Sequence, residues 1–356
     1  MKMKNFVLYP YNRETEDIVE NRDMLKGYKL VGVISNKEDF ILMNKLNGQG
    51  TLSYNVSGSE IKSEFDTIVL CNNIAGYDMR GYVNFITEDL HNAKNIFAPV
   101  KVKKQIENSL EEVHNIHLLG NKTNSVDYDD KRELLEIKVP IVTILGLGEN
   151  CDKFKIQMEL YKNLVRKHYK VTVVSSNELG ALFGFHTIPE ELYEKGSFIE
   201  KVYLFNRYIK QLEKVEKPDL FIIGCPGEIM PINKKYPGHL SELPLVICNA
   251  IQTDIGILSL YLYQEISQDL ISELGELCKR KFDVPVKFIT IARQEYIIDV
   301  EREKLEYRFF DRVTYAEEMK TLNAQSDNFL NVSNESDYEK LTQKILFRLS
   351  QNPNIL

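Results

Sequence analysis

The stretch from Pro140 to Lys167, PIVTILGLGENCDKFKIQMELYKNLVRK, limits the possible folds of this chain more than any other. IVTIL follows a proline that cannot donate to a sheet ladder, and reads as the start of a buried strand. Gly146 and Gly148 permit a tight turn, and from Lys153 onward the residues read as a helix running to about His168. Strand, turn of freed backbone N–H groups, lysine and helix N-terminus is the order a phosphate site needs. The amides and the helix dipole face the anion, and the lysine neutralises it. Candidate ligand contacts are Gly146, Gly148, Glu149, Asn150, Cys151, Asp152, Lys153 and Phe154.

Two of these residues alter the usual chemistry. Asp152 stands where such loops carry a glycine before the lysine. An aspartate can adopt the left-handed backbone that this position requires, but its carboxylate repels phosphate unless a metal converts it into a ligand. Phe154 replaces the serine or threonine whose hydroxyl would hold magnesium. Three outcomes are open for such a loop: it holds ATP, GTP or another phosphate ligand without a hydroxyl for magnesium, it binds phosphate poorly, or it takes a different ligand. Cys151 admits two readings: a thiol activated by the helix start, or packing.

Three further stretches could contribute. In DLFIIGCPGE a strand ends at Gly224 and opens into Cys225, Pro226, Gly227 and Glu228. The carboxyl ends of parallel strands line ligand crevices, so Glu228 is a candidate metal ligand or base, and equally an exposed residue on a Gly-Pro turn. PLVICNA reads as another strand, placing Asn249, Gln252, Thr253 and Asp254 after it as readers of a base edge, or as helix caps. SSNELGALFGFHTIPEEL has the composition of a lid, with His186 either an acid-base group or structural.

The rest of the chain alternates strands and helices, which implies parallel sheets. NFVLYPY, YKLVGVISN and DTIVLC are strands, ETEDIVENRDMLKG a helix, and RGYVNFITEDLHNAKNIFA a helix then a strand. After its first strand the chain reads Pro10, Tyr11, Asn12 and Arg13 rather than a glycine fingerprint. A dinucleotide is not expected there, though Arg13 could hold some other anion. NKTNSVDYDDKR is polar and turn-rich, a linker. Beyond it come strands KVTVVSS, VKFITIA and EYIIDV, a helix from Phe198 to about Lys214, another from about Asp254 to Lys281, a polar tail from Asn323 to Glu335, and a last helix over Asp337 to Leu349. The expected architecture is α/β: residues 1–120 a Rossmann-like domain, 121–137 a linker, and 138–356 a P-loop NTPase-like parallel-sheet domain.

At 356 residues, with 43% hydrophobic and 27% charged, the chain can bury two cores without staples. A net charge of -7 argues against nucleic acid as partner. Five cysteines in no CxxC pair read as reduced thiols of a cytoplasmic protein, with no metal site expected. No run is long enough for a membrane span.

GLGENCDKFKIQMEL, GALFGFHTIPEE and LFIIGCPGEIMP together resemble the peptide maturation system proteins of ribosomal natural-product (bacteriocin-like) clusters. The spacing from Gly146 to Lys153 is similar to that of dethiobiotin-synthetase-type loops. A broader similarity is to D-amino-acid N-acetyltransferase-type proteins, which join a Rossmann-like to a P-loop-like domain. Lys153 and Met158-Glu159-Leu160 match that pattern; Asp152, Phe154 and Gly224 depart from it, which weakens any carry-over of magnesium-dependent catalysis. The resemblance implies a component of a peptide maturation system, acting with a precursor peptide or other maturation proteins. The alternative is a non-catalytic accessory protein recognising a precursor peptide or a partner enzyme. The oligomeric state is open, a homo-oligomer included.

Overall fold

A computed structural model of the chain describes residues 3–34, 53–55, 64–72, 82, 95–107, 116–120, 133–148, 150–231, 234, 241–262, 266–299, 304–323, 329–331 and 334–351. Two compact units emerge: Met1–Asn121 with Glu178–Gly184, and Lys122–Asn177 with Phe185–Leu356.

In the first unit, strands β1 (Lys4–Tyr9), β2 (Tyr28–Ile34), β3 (Ser53–Asn55), β4 (Thr67–Leu70), β5 (Asn95–Ala98) and β6 (Ile116–Leu118) form one parallel sheet, ordered β3-β2-β1-β4-β5-β6. This is the doubly wound order, which reverses between β1 and β4. Val7, Ile34, Ile68, Leu70 and Val102 share its core. Helix α1 (Arg13–Glu20) follows β1, and α2 (Val100–Glu107) follows β5. The segment read as a lid begins instead as part of this unit. Residues Glu178–Phe183 form a short 3-10 helix that buries Leu179, Leu182 and Phe183. The Glu178 carboxylate accepts the Val100 N–H at the start of α2 at 3.1 and 3.2 Å.

The second unit contains β7 (Ile141–Gly146), α3 (Lys153–Arg166), β8 (Val171–Ser175), β9 (His186–Thr187), α4 (Phe198–Glu216), β10 (Leu220–Gly224), α5 (Leu243–Ala250), β11 (Ile255–Leu260), α6 (Gln268–Phe282), β12 (Val286–Ile291), β13 (Gln294–Asp299), β14 (Lys304–Phe309), α7 (Arg312–Asn323), β15 (Phe329–Asn331) and α8 (Glu335–Ser350). Its parallel sheet runs β15-β12-β11-β7-β10-β8-β9. All six residues of β7 are buried, as expected of a central parallel strand covered on both faces. The chain leaves β7 toward β8 and later returns on its other side as β11, so β7 is the switch point of the sheet. α3 is buried along residues 153–160 and also packs against α8.

Four elements differ from the sequence reading. PLVICNA is helix α5, not a strand. An eight-residue apolar run has no period that separates the two, and Pro244 in the first turn was the helix-start signal. IGILSL is the strand beside β7, not the start of a long helix; α6 begins only at Gln268. EYIIDV leaves the core sheet and pairs antiparallel with β14. Phe329–Asn331 within the polar tail adds an edge strand to β12. Apart from the buried Tyr82, the helix read before NIFA lies outside the described residues, as does the NKTNSVDYDDKR linker.

No helix among the described residues is long and apolar enough to cross a membrane.

Candidate phosphate-binding site

β7 ends at Gly146, and α3 begins seven residues later at Lys153. Between them Asn150 (φ 55) and Asp152 (φ 48) take left-handed backbone, while Cys151 does not. Alternation of this kind turns successive N–H groups inward and forms an anion-binding concavity. Asp152 adopts the conformation for which such loops use glycine. It is also the N-cap of α3, yet its side chain makes no cap bond. Its Oδ2 instead accepts the Arg293 backbone N–H at 3.0 Å, beyond the end of β12. The carboxylate is thereby held against the neighbouring turn, and the first-turn N–H groups of a fourteen-residue helix are left without a side-chain cap.

Lys153 folds back over this concavity. It is 8% exposed, and its Nζ donates to Gly227 O at 2.5 Å and to Gly148 O at 3.5 Å. Its stem crosses Gly146: a β-carbon there would lie 2.9 Å from Lys153 Cδ, so a larger residue would shift the end of the lysine from this path. Gly148 has a comparable reason, since a β-carbon would lie 2.0 Å from the Tyr261 hydroxyl. Tyr261 follows β11 and packs with Cys151, Ala292, Leu147, Tyr296 and Tyr307, forming an aromatic floor under the loop.

That floor decides between the readings of Cys151. The thiol is fully buried, and burial pushes its pKa up to about 12, despite the opposing influence of the Lys153 cation and hydrogen bonds with Gly148 and Tyr261. A neutral thiol in this position is packing, not a nucleophile. Phe154 is buried at 7% exposure and brings no oxygen to the site. Glu149 lies outside the described residues.

The loop after β10 forms the opposite wall. Cys225 N–H continues the ladder to Ile144 O at 2.9 Å, and Ile229 N–H reaches Gly146 O at 3.3 Å, so residues 225–229 cross the end of β7. Glu228 is buried at 4% exposure, which excludes the exposed-turn reading. Gly224 leaves room for Gln157: a β-carbon there would lie 2.5 Å from its Oε1, so no larger strand-end residue fits without displacing that amide. Gln157 bonds Val174 O and Ser176 N, both at 2.8 Å, and fills the end of the sheet over β8 and β10. Cys225 and Cys248 are buried with sulfurs 4.0 Å apart, and that contact together with burial raises the Cys248 pKa.

Other candidates stand elsewhere. The register of β11 on β7 pairs Ile255 with Val142, so Gln252, Thr253 and Asp254 precede the strand at the amino edge, the wrong end for this crevice. There Asp254 accepts Ile141 N–H at 2.8 Å, and Thr253 bonds Thr143 at 2.7 Å. Asn249 is exposed on α5, its Nδ2 donating to Leu245 O at 2.8 Å. His186 bonds Glu216 at 2.5 Å, and this bond holds the carboxylate below its usual pKa range. Thr172 shares the same carboxylate, so His186 ties β9 to the end of α4. The Arg13 side chain lies outside the described atoms. Among the described residues no group of three or more His, Cys, Asp or Glu is placed to hold a metal. Sequence reasoning missed Tyr261, Gln157 and Arg293, because each acts through the fold rather than through a motif.

No known family model matches the sequence, and no curated protein matches it significantly. The fold is similar to that of a DUF1611 family protein from Anabaena variabilis, with a TM-score of 0.59 at 12% identity, covering 98% of this chain and 100% of that one. An Archaeoglobus fulgidus nucleotide-binding protein in complex with ADP matches at TM-score 0.32 and 14% identity, over 61% of this chain and 90% of its own. FtsY from Mycoplasma mycoides matches at 0.26 and 14%, over 62% and 75%. The first likeness is one of fold; the other two superpose too poorly to carry an argument.

Proposed function

We propose that the second unit binds a phosphate-bearing ligand, a nucleotide foremost, in the turn between Gly146 and Lys153. The observation that carries this reading is the state of Lys153. A cation 8% exposed faces two backbone carbonyls and, among the described residues, makes no ion pair. A buried charge without a counter-ion is costly. An anion seated on the left-handed turn would relieve that cost and meet the uncapped N–H groups of α3 at the same time.

The same geometry favours binding over hydrolysis. Phe154 offers no hydroxyl for magnesium, and the Asp152 carboxylate is engaged with Arg293 N–H. A ligand held mainly by amides and one lysine should bind comparably with magnesium or with a chelator. Calorimetric titration with ATP, GTP and inorganic pyrophosphate, each with magnesium and with EDTA, tests this. Saturable binding in both buffers is expected; absence of heat and of any thermal shift up to millimolar ligand would reject it.

The resemblance of GLGENCDKFKIQMEL, GALFGFHTIPEE and LFIIGCPGEIMP to peptide maturation system proteins gives this binding unit a setting. It would serve a precursor peptide or a partner maturation enzyme, as a ligand-responsive accessory rather than a catalyst. Phe154 favours that non-catalytic form. Retention of a neighbouring maturation protein on the immobilised chain, with no nucleotide turnover, is the expected result. Steady turnover of ATP would contradict it.

A further inference from the structure

We infer that Ser259 and Thr290 are ligand contacts of this site, two buried hydroxyls that donate to the phosphate oxygens from the β11 side of the turn. The inference rests on the phosphate reading above and names further residues of the same site.

Both residues are 0% exposed, and neither hydroxyl has a hydrogen-bond partner among the described residues. A buried hydroxyl without a partner destabilises a fold, and native structures keep few of them. These two stand side by side. Ser259 of β11 pairs in register with Thr290 of β12, and on its other side with Gly146 at the end of β7. Residues paired across parallel strands send their side chains to the same face of the sheet, about 4.8 Å apart. On that face a β-carbon at Gly146 would lie 3.0 Å from Lys153 Nζ. Ser259 is therefore one strand spacing from the place where the Lys153 stem crosses, and Thr290 is two. The strand period returns the same face two residues later at Tyr261, whose hydroxyl lies under Gly148. Leu147 N–H donates to Ser259 O at 2.8 Å and ties the start of the turn to the same serine.

The other side of β7 is finished differently. There Gln157 fills the end of the sheet and bonds Val174 O and Ser176 N, both at 2.8 Å, so the protein pairs its own polar groups. On the β11 side two donors face the turn with no acceptor from the described residues. A phosphate is rich in acceptor oxygens, and a hydroxyl bonded to an ionised oxygen makes a short, strong hydrogen bond. Lys153 keeps its place in this arrangement. An ammonium has three donors; two are directed at Gly227 O and Gly148 O, and the third meets the same anion.

The test is calorimetric titration of the full chain with inorganic pyrophosphate, in the wild type, S259A, T290V and the double variant, with chemical denaturation of each in the absence of ligand. Each substitution removes a hydroxyl and keeps the shape of what remains. S259A should bind pyrophosphate about tenfold more weakly, the loss expected for one hydrogen bond to a charged group. T290V, one strand farther from Lys153, should lose less, and the double variant most. Without ligand, the denaturation midpoints of all three should equal or exceed that of the wild type, because an unpartnered hydroxyl does not hold the fold together. Wild-type affinity in the double variant overturns the inference and leaves the phosphate reading standing. A lowered midpoint in S259A also overturns it, by showing that the hydroxyl is bonded within the fold. No binding by the wild-type chain removes both.

Discussion

The two units make the same construction at the same place and finish it differently. Each has a parallel sheet whose order reverses at a central strand, β1 in one and β7 in the other, followed by a turn and a helix. In the first unit Asn12 caps α1. Its Oδ1 accepts Thr15 N–H at 3.3 Å, Thr15 Oγ1 accepts Asn12 N–H at 3.0 Å, and its Nδ2 donates to Asn72 O, beyond β4, at 2.8 Å. One side chain thus occupies the helix start and ties it to the neighbouring turn. In the second unit the N-cap is Asp152, which turns away to Arg293 and leaves the start of α3 to the backbone concavity and Lys153. Topology supplies a crevice in both cases. On the proposed reading, what the N-cap side chain does decides whether the crevice can hold an anion.

The largest effect that would break this comparison is expected at Gly148. Alanine there drives a β-carbon to within 2.0 Å of the Tyr261 hydroxyl. Overpacking of this kind costs about 3 kcal/mol, and chemical denaturation should show the loss in the second unit, with phosphate binding gone. Next comes Lys153→Met, which removes the cation. Losing a charged hydrogen bond of about 2 kcal/mol should weaken pyrophosphate binding about 30-fold, read by calorimetry. Asn12→Ala should cost the first unit about 1 kcal/mol as a lost cap, read by denaturation, and leave pyrophosphate affinity unchanged. The smallest effect is expected from Asp152→Gly. Relief of a left-handed residue, about 1 kcal/mol, roughly offsets the lost bond to Arg293 N–H, also about 1 kcal/mol. Stability should hardly move, while removal of a carboxylate beside the anion should raise pyrophosphate affinity a few-fold.

Much of this was legible in the sequence because it is local. A proline, the run IVTIL with four apolar residues in five, and two spaced glycines specify β7 and its turn, and the tolerance of aspartate for left-handed backbone reads directly onto Asp152. The departures arise where the deciding contact is distant in the chain. PLVICNA and IGILSL are both short apolar runs. Only their packing makes one a helix and the other the strand beside β7, and that exchange moved Asn249 and Asp254 away from the crevice. Cys151 is buried in a cluster that includes Tyr261, 110 residues later, and the Asp152 carboxylate is held by the Arg293 N–H, 141 residues later. No spacing rule reaches that far.

Backbone amide resonances test the central claim most directly. On addition of inorganic pyrophosphate, Asn150, Cys151, Lys153 and Phe154 should show the largest shifts in the spectrum, while Asn12 to Thr15 stay in place. Shifts at Asn12 to Thr15, or none at the start of α3 while calorimetry reports binding, would contradict it.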